Sequence, residues 1–160
     1  MSTRKSPAHR RCELMLERLS IHFGVKTPIL EWSDYYGSQP ITAFYDKSGK
    51  LDPYGTGMIK MGPFPTMALP HRWLKYSDIL LHEFSHIVAH HRNKIAYSHS
   101  KAFTQILLEV VKFWYGNEDR YSWNLEYEYI AKYYAKTHPN YRKRFWLYKK
   151  IKSKDNYVGN

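Results

Sequence analysis

One run limits what this chain can be: Leu80-Leu81-His82-Glu83-Phe84-Ser85-His86-Ile87-Val88. Ile79, Leu80, Phe84, Ile87 and Val88 supply the apolar flanks of a buried helix, and Ser77-Asp78 offers a capped start. The pattern predicts a helix from about Ser77 to His91. On it, His82 and His86 stand about 40° apart around the axis and roughly one turn along it. Both imidazoles therefore reach one metal ion from the same face. Glu83 projects about 100° from His82, near enough to meet a water beside the ion without ligating it. Two ligands, an open coordination position and an adjacent carboxylate are what a zinc hydrolase requires. The expected cofactor is Zn2+ on His82 and His86, with Glu83 as general base.

A protease-type zinc needs a third protein ligand. His90 continues the face but lies about 12 Å along the axis from His82, too far for bonds of about 2.0–2.1 Å. His91 points off the face. The spacing in which a third histidine follows six residues after His86 meets Arg92, with Ala89 where that pattern has glycine, so the metzincin pattern fails. Two candidates remain. Glu109 lies 23 residues on, within a predicted helix, in the manner of the gluzincins. His99 lies 13 residues on, at the mouth of that helix, in Tyr97-Ser-His-Ser-Lys-Ala-Phe103. That polar stretch otherwise has no need of a histidine, which favours His99 over Glu109. Tyr97, His71 and Tyr76 are candidate donors to an oxyanion.

The rest of the chain predicts an α+β domain over residues 1–139, followed by a basic aromatic tail over 140–160. Ser6-Pro7 starts a helix whose Cys12, Met15, Leu16 and Leu19 recur at helical spacing, and Gly24 stops it. Residues 28–32, 41–45 and 56–61 are strand candidates separated by turn-rich segments, giving a small antiparallel sheet of about three strands. The third of these is a candidate edge for holding an extended substrate. After the histidine helix, Ser98 or Ser100 caps a helix over 101–115 that buries Phe103, Ile106, Leu107, Val110, Val111 and Trp114. A last helix is expected from Asn117 to about Thr137, with Trp123, Tyr127, Ile130 and Tyr134 as its apolar stripe. No run approaches 18 apolar residues, so no membrane span is expected. No apolar core follows the basic N-terminus, so no secretory signal is expected. The single cysteine, Cys12, excludes an internal disulfide and fits a reducing, intracellular compartment.

Leu81-His-Glu-Phe-Ser-His86, followed after 13 residues by His99-Ser-Lys-Ala-Phe103, resembles the SprT-like metalloproteases, whose eukaryotic relative is Spartan. The resemblance covers roughly residues 50–115, with strand, loop and helix in the family's order. It implies a zincin-like fold, His82, His86 and His99 as zinc ligands, and Glu83 as general base. It also implies a protease acting on DNA-associated or DNA-crosslinked proteins. Two departures stand out. Ser100 occupies the usual glycine position, and with a lone cysteine in these 160 residues the zinc ribbon that follows many of the family's catalytic domains is not expected among them.

The tail offers a substitute for that ribbon. The chain carries a net charge of +11, and residues 129–154 hold nine lysines or arginines and no acidic residue. Tyr129, Tyr133, Tyr134, Tyr141, Phe145, Trp146 and Tyr148 are interleaved with them. Cations neutralise phosphates and aromatic faces stack on unpaired bases, so the expected partner, besides a protein substrate, is DNA, with single strands preferred; the alternatives are a solvated charge run around a packing helix and an anionic membrane surface. The rival readings are a gluzincin-type peptidase using Glu109 and a non-catalytic nucleic-acid-binding protein with structural zinc. The carboxylate of Glu83 beside an open position argues against the second.

Overall fold

The computed structural model describes residues 5–32, 41–52, 55–61, 76–94, 98–123, 126, 130, 132, 133 and 136. The chain divides into two units, Met1–Tyr97 and Ser98–Asn160. The described residues are mixed α+β, with three α-helices and one three-stranded sheet. The tail over 140–160 lies outside the described residues.

The first unit opens with α1 (Pro7–Phe23). The Ser6 hydroxyl accepts the His9 backbone N–H at 3.2 Å, and Pro7 sits where a helix has no use for a backbone donor. Gly24, at φ 65°, closes α1 in the left-handed region that glycine enters without strain. Cys12, Met15, Leu16 and Leu19 form the buried stripe, and Phe23 meets Phe84 with ring centroids 5.9 Å apart.

Three strands follow: β1 (Ile29–Trp32), β2 (Ile41–Tyr45) and β3 (Thr56–Met61). Their order is β1-β3-β2. β2 and β3 form an antiparallel hairpin, with Thr42 opposite Ile59 and Tyr45 opposite Thr56. β1 instead runs parallel to β3, with Ile29 opposite Met58 and Trp32 opposite Met61. The expected antiparallel sheet is therefore a mixed one. β1 and β2 run in opposite directions but do not pair: β3 lies between them and is antiparallel to β2, so β1 meets it in parallel. The same order corrects the substrate-edge expectation: β3 is hydrogen-bonded on both sides, so its backbone offers no edge.

The hairpin turn is locally determined. Asp46 accepts from the Ser48 N–H at 2.8 Å, the Ser48 hydroxyl at 2.6 Å and the Lys50 N–H at 3.0 Å. The Ser48 hydroxyl foremost, with these backbone donors, holds the Asp46 carboxyl below its ordinary range. Gly55 packs directly on the end of β2: a Cβ there would stand 2.0 Å from the Tyr45 carbonyl oxygen.

The inner face of the sheet, Ile59 and Met61 with Thr42 and Phe44, is buried against α2 (Tyr76–Asn93). Gly57 sets that approach, since a Cβ on it would lie 2.6 Å from Ile87 Cδ1. In α2, Leu80, Leu81, Phe84 and Val88 are fully buried, each contributing about 1.5–3 kcal/mol over exposure. Lys94, at φ 57°, ends the helix, and its N–H bonds the His90 carbonyl at 3.1 Å.

The second unit contains α3 (Lys101–Tyr115). The Ser100 hydroxyl caps it by accepting the Phe103 N–H at 3.4 Å, and Gly116, at φ 73°, closes it. Phe103, Ile106, Leu107, Val110 and Val111 are buried, while Trp114 is half-buried. The predicted helix from Asn117 does not continue. A 3-10 turn, Glu118–Arg120, ends at Tyr121, whose backbone is extended at φ −82°, ψ 148°. The Glu118 carbonyl, which a continuing α-helix would offer to residue 122, accepts the Tyr121 N–H at 3.3 Å and the Trp123 indole N–H at 2.6 Å. Ile130, Lys132, Tyr133 and Lys136 are helical, and Trp123 and Ile130 are fully buried. Tyr127 and Tyr134 of the expected stripe lie outside the described residues.

Candidate metal centre

The five residues His82 to His86 all lie within α2, more than one turn from either end. The ring centroids of His82 and His86 are 5.1 Å apart, at an interplanar angle of 68°. His99 stands immediately before the capping Ser100. The Ser98 hydroxyl accepts the Ser100 N–H at 3.2 Å, which tightens this turn, and the His99 ring meets Phe103 edge-on at 5.2 Å. One ring nitrogen from each of His82, His86 and His99 lies within 4.8 Å of the others. His86 is buried, and His82 and His99 are half-buried. This group can hold a metal ion.

The donor set fits zinc. Three neutral imidazoles suit a borderline-soft ion, and three protein ligands leave the fourth tetrahedral position open. Bonds of about 2.0–2.1 Å in a tetrahedron separate ligand nitrogens by roughly 3.4 Å. Glu109, the other candidate, is exposed on α3 and is not a member of the group. His90 is buried with its ring centroid 4.1 Å from that of Phe44. With the exposed His91 and with Lys94 it lines a cavity of about 520 Å³ that none of the three clustered histidines lines.

Glu83 follows His82 on α2 and is 8% exposed. Its carboxylate oxygen Oε2 accepts a hydrogen bond from the Thr42 hydroxyl, which also lies 3.0 Å from the Glu83 backbone carbonyl oxygen. Thr42 sits on the inward face of β2, in phase with Phe44, and is 5% exposed. The sequence reading missed this residue. The signal was a hydroxyl at an inward strand position, where an apolar side chain is the rule.

Of the candidate oxyanion donors, His71 and Tyr97 lie outside the described residues. Tyr76 is the first residue of α2. Its ring is 5.3 Å from Trp32, which stacks in turn on His9 at 5.0 Å. That aromatic stack joins the starts of α1 and α2 to β1 and gives Tyr76 a packing role. Neither protein-family models, nor curated proteins, nor solved structures yield a match to this chain.

Proposed function

We propose that this chain is a zinc-dependent endopeptidase of the SprT-like type, with a zincin-like fold. The observation that carries the reading is the grouping of the His82, His86 and His99 nitrogens within 4.8 Å, with the buried carboxylate of Glu83 one residue along the same helix. His82, His86 and His99 would hold the ion. When bound, zinc supplies Lewis acidity, which polarises a carbonyl and acidifies water. Glu83 is placed by sequence as a proton carrier rather than a ligand. Its carboxylate takes a proton from the water that adds to the peptide carbonyl carbon. It then delivers that proton to the amine nitrogen as the C–N bond breaks, leaving a carboxylate and a free amine.

The proposed substrates are DNA-associated or DNA-crosslinked proteins in an intracellular setting. Support comes from the basic aromatic stretch 129–154, in which Lys132 and Lys136 are exposed. No helix among the described residues is long and apolar enough to cross a membrane. The test is a metal assay and a cleavage assay on wild type and Glu83→Gln. Both proteins should carry about one zinc per chain, and only the wild type should cleave a labelled unfolded protein. Equal cleavage by the two would overturn the mechanism.

A further inference from the structure

We propose that Thr42 is a positioning residue for Glu83, holding its carboxylate so that one defined oxygen serves the proton transfers. This inference rests on the hydrolytic reading of the site. Glutamate has three rotatable side-chain bonds, and a base that must meet water on one side and an amine on the other gains from losing that freedom beforehand. Thr42 supplies the restraint in three ways.

Its backbone is fixed by the pairing of Thr42 with Ile59 in the β2–β3 hairpin. Its β-branched side chain is stiff about χ1. Its hydroxyl carries one proton and has two acceptors within reach, the Glu83 carbonyl oxygen and Glu83 Oε2. An ionised carboxylate is the stronger acceptor, so the proton goes to Oε2. That anchors Oε2 and sets the direction of the other oxygen, Oε1. The contact spans 41 residues of sequence and is buried, so solvent competes little with it. It also ties the sheet to the helix at the residue that needs orientation, one position from His82.

The experiment compares wild type, Thr42→Val, Thr42→Ser and Glu83→Gln as full-length zinc-loaded proteins, using fluorescein-labelled casein as substrate. Thr42→Val keeps the side-chain shape and loses the hydroxyl. It should lower kcat about 10- to 100-fold with KM and zinc content unchanged, and Thr42→Ser should recover most of the loss. A Thr42→Val protein with wild-type kcat overturns the inference and leaves the hydrolytic reading standing. Wild type and Glu83→Gln cleaving equally, or not at all, overturns both.

Should Thr42→Val fail to fold, Thr42→Cys, with its weak donor, should show the same loss of kcat, and unchanged kcat there is equally fatal. A second readout needs no activity. In urea unfolding of metal-free protein, Thr42→Val should destabilise wild type more than it destabilises a Glu83→Ala background. Equal effects in the two backgrounds would mean that the hydroxyl and the carboxylate are not coupled, and would overturn the proposal.

Discussion

Gly57→Ala probes the spacing that holds the histidine helix against the sheet. The added Cβ would lie 2.6 Å from Ile87 Cδ1 and 3.4 Å from Phe44 Cε1. Ile87 Cδ1 must therefore retreat by roughly 0.8 Å to reach the 3.4 Å of an ordinary contact. Ile87 is 5% exposed, but with Gly57 it lines the cavity of about 520 Å³, so its end methyl can turn part of the way into that space. Overpacking of this kind costs about 1–3 kcal/mol. The lower chain entropy of alanine in the unfolded state offsets about 0.4–1 kcal/mol of it. With the end of a side chain beside a cavity as the yielding atom, the low end of that range applies, and a net loss below about 1 kcal/mol is expected, read as a fall in Tm of at most roughly 4–8 °C.

The clashing atom is a single methyl, and Ile87→Val removes it. Ile87→Val alone should cost about 0.5–1.5 kcal/mol. The Gly57→Ala/Ile87→Val pair should be more stable than the sum of the single losses allows, by about 1 kcal/mol. Thermal and urea unfolding of the four proteins measures this directly. Strict additivity would show that Gly57 is glycine for some other reason, and that the approach of α2 to the sheet is not set by this contact.

Three further outcomes are expected. His99→Ala should lose most bound zinc while Glu109→Ala keeps it, and a metal assay showing the reverse would move the third ligand to Glu109. Burial pushes the Cys12 thiol up to about 11, against the weaker opposing pull of Arg11. The unfolded chain ionises this thiol earlier, so its contribution to stability is complete below about pH 9 and is lost as pH rises toward 11. Urea midpoints across that window should therefore fall in wild type and stay flatter in Cys12→Ala. Single-stranded DNA should accelerate cleavage of a DNA-bound protein, with a log–log salt dependence near 0.7 per phosphate contact. Removing residues 140–160 should abolish most of that acceleration, and equal rates with and without the tail would leave those cations as a solvated surface.

What the sequence made legible was what neighbouring residues decide. Ser6-Pro7 and Gly24 bracket α1, and Ser100 and Gly116 bracket α3, because caps act within one turn of the residue that supplies them. The two histidines of α2 follow from spacing alone. His99, 13 residues away, was favoured over Glu109 only because its polar stretch otherwise needs no histidine, and through the family resemblance. Partners chosen across long stretches of chain were not legible. A short apolar run bounded by turn signals marks residues 28–32 as a strand but carries no information about which neighbour it takes or in which direction. Nothing near Asn117 announces that the Trp123 indole will claim the Glu118 carbonyl and end the turn. Thr42 was invisible for the same reason, since its partner lies 41 residues away.

The strand order also has a kinetic consequence. The β2–β3 pairing is the more local of the two, and the Asp46 turn organises it, so it is expected to form before β1 is added. β1 docks onto β3 only after the intervening chain has made the excursion through β2 and back, so it joins late. It is short, and Ile29 and Glu31 face solvent. The expected first opening of the sheet is the peeling away of β1, resisted by the stacking of Trp32 on His9 and Tyr76. Amide protons shared between β1 and β3 should exchange faster than those of the hairpin. The hairpin carries Thr42, and its contacts with α2 do not involve β1. Breathing at that margin should thus leave the carboxylate and its anchor together.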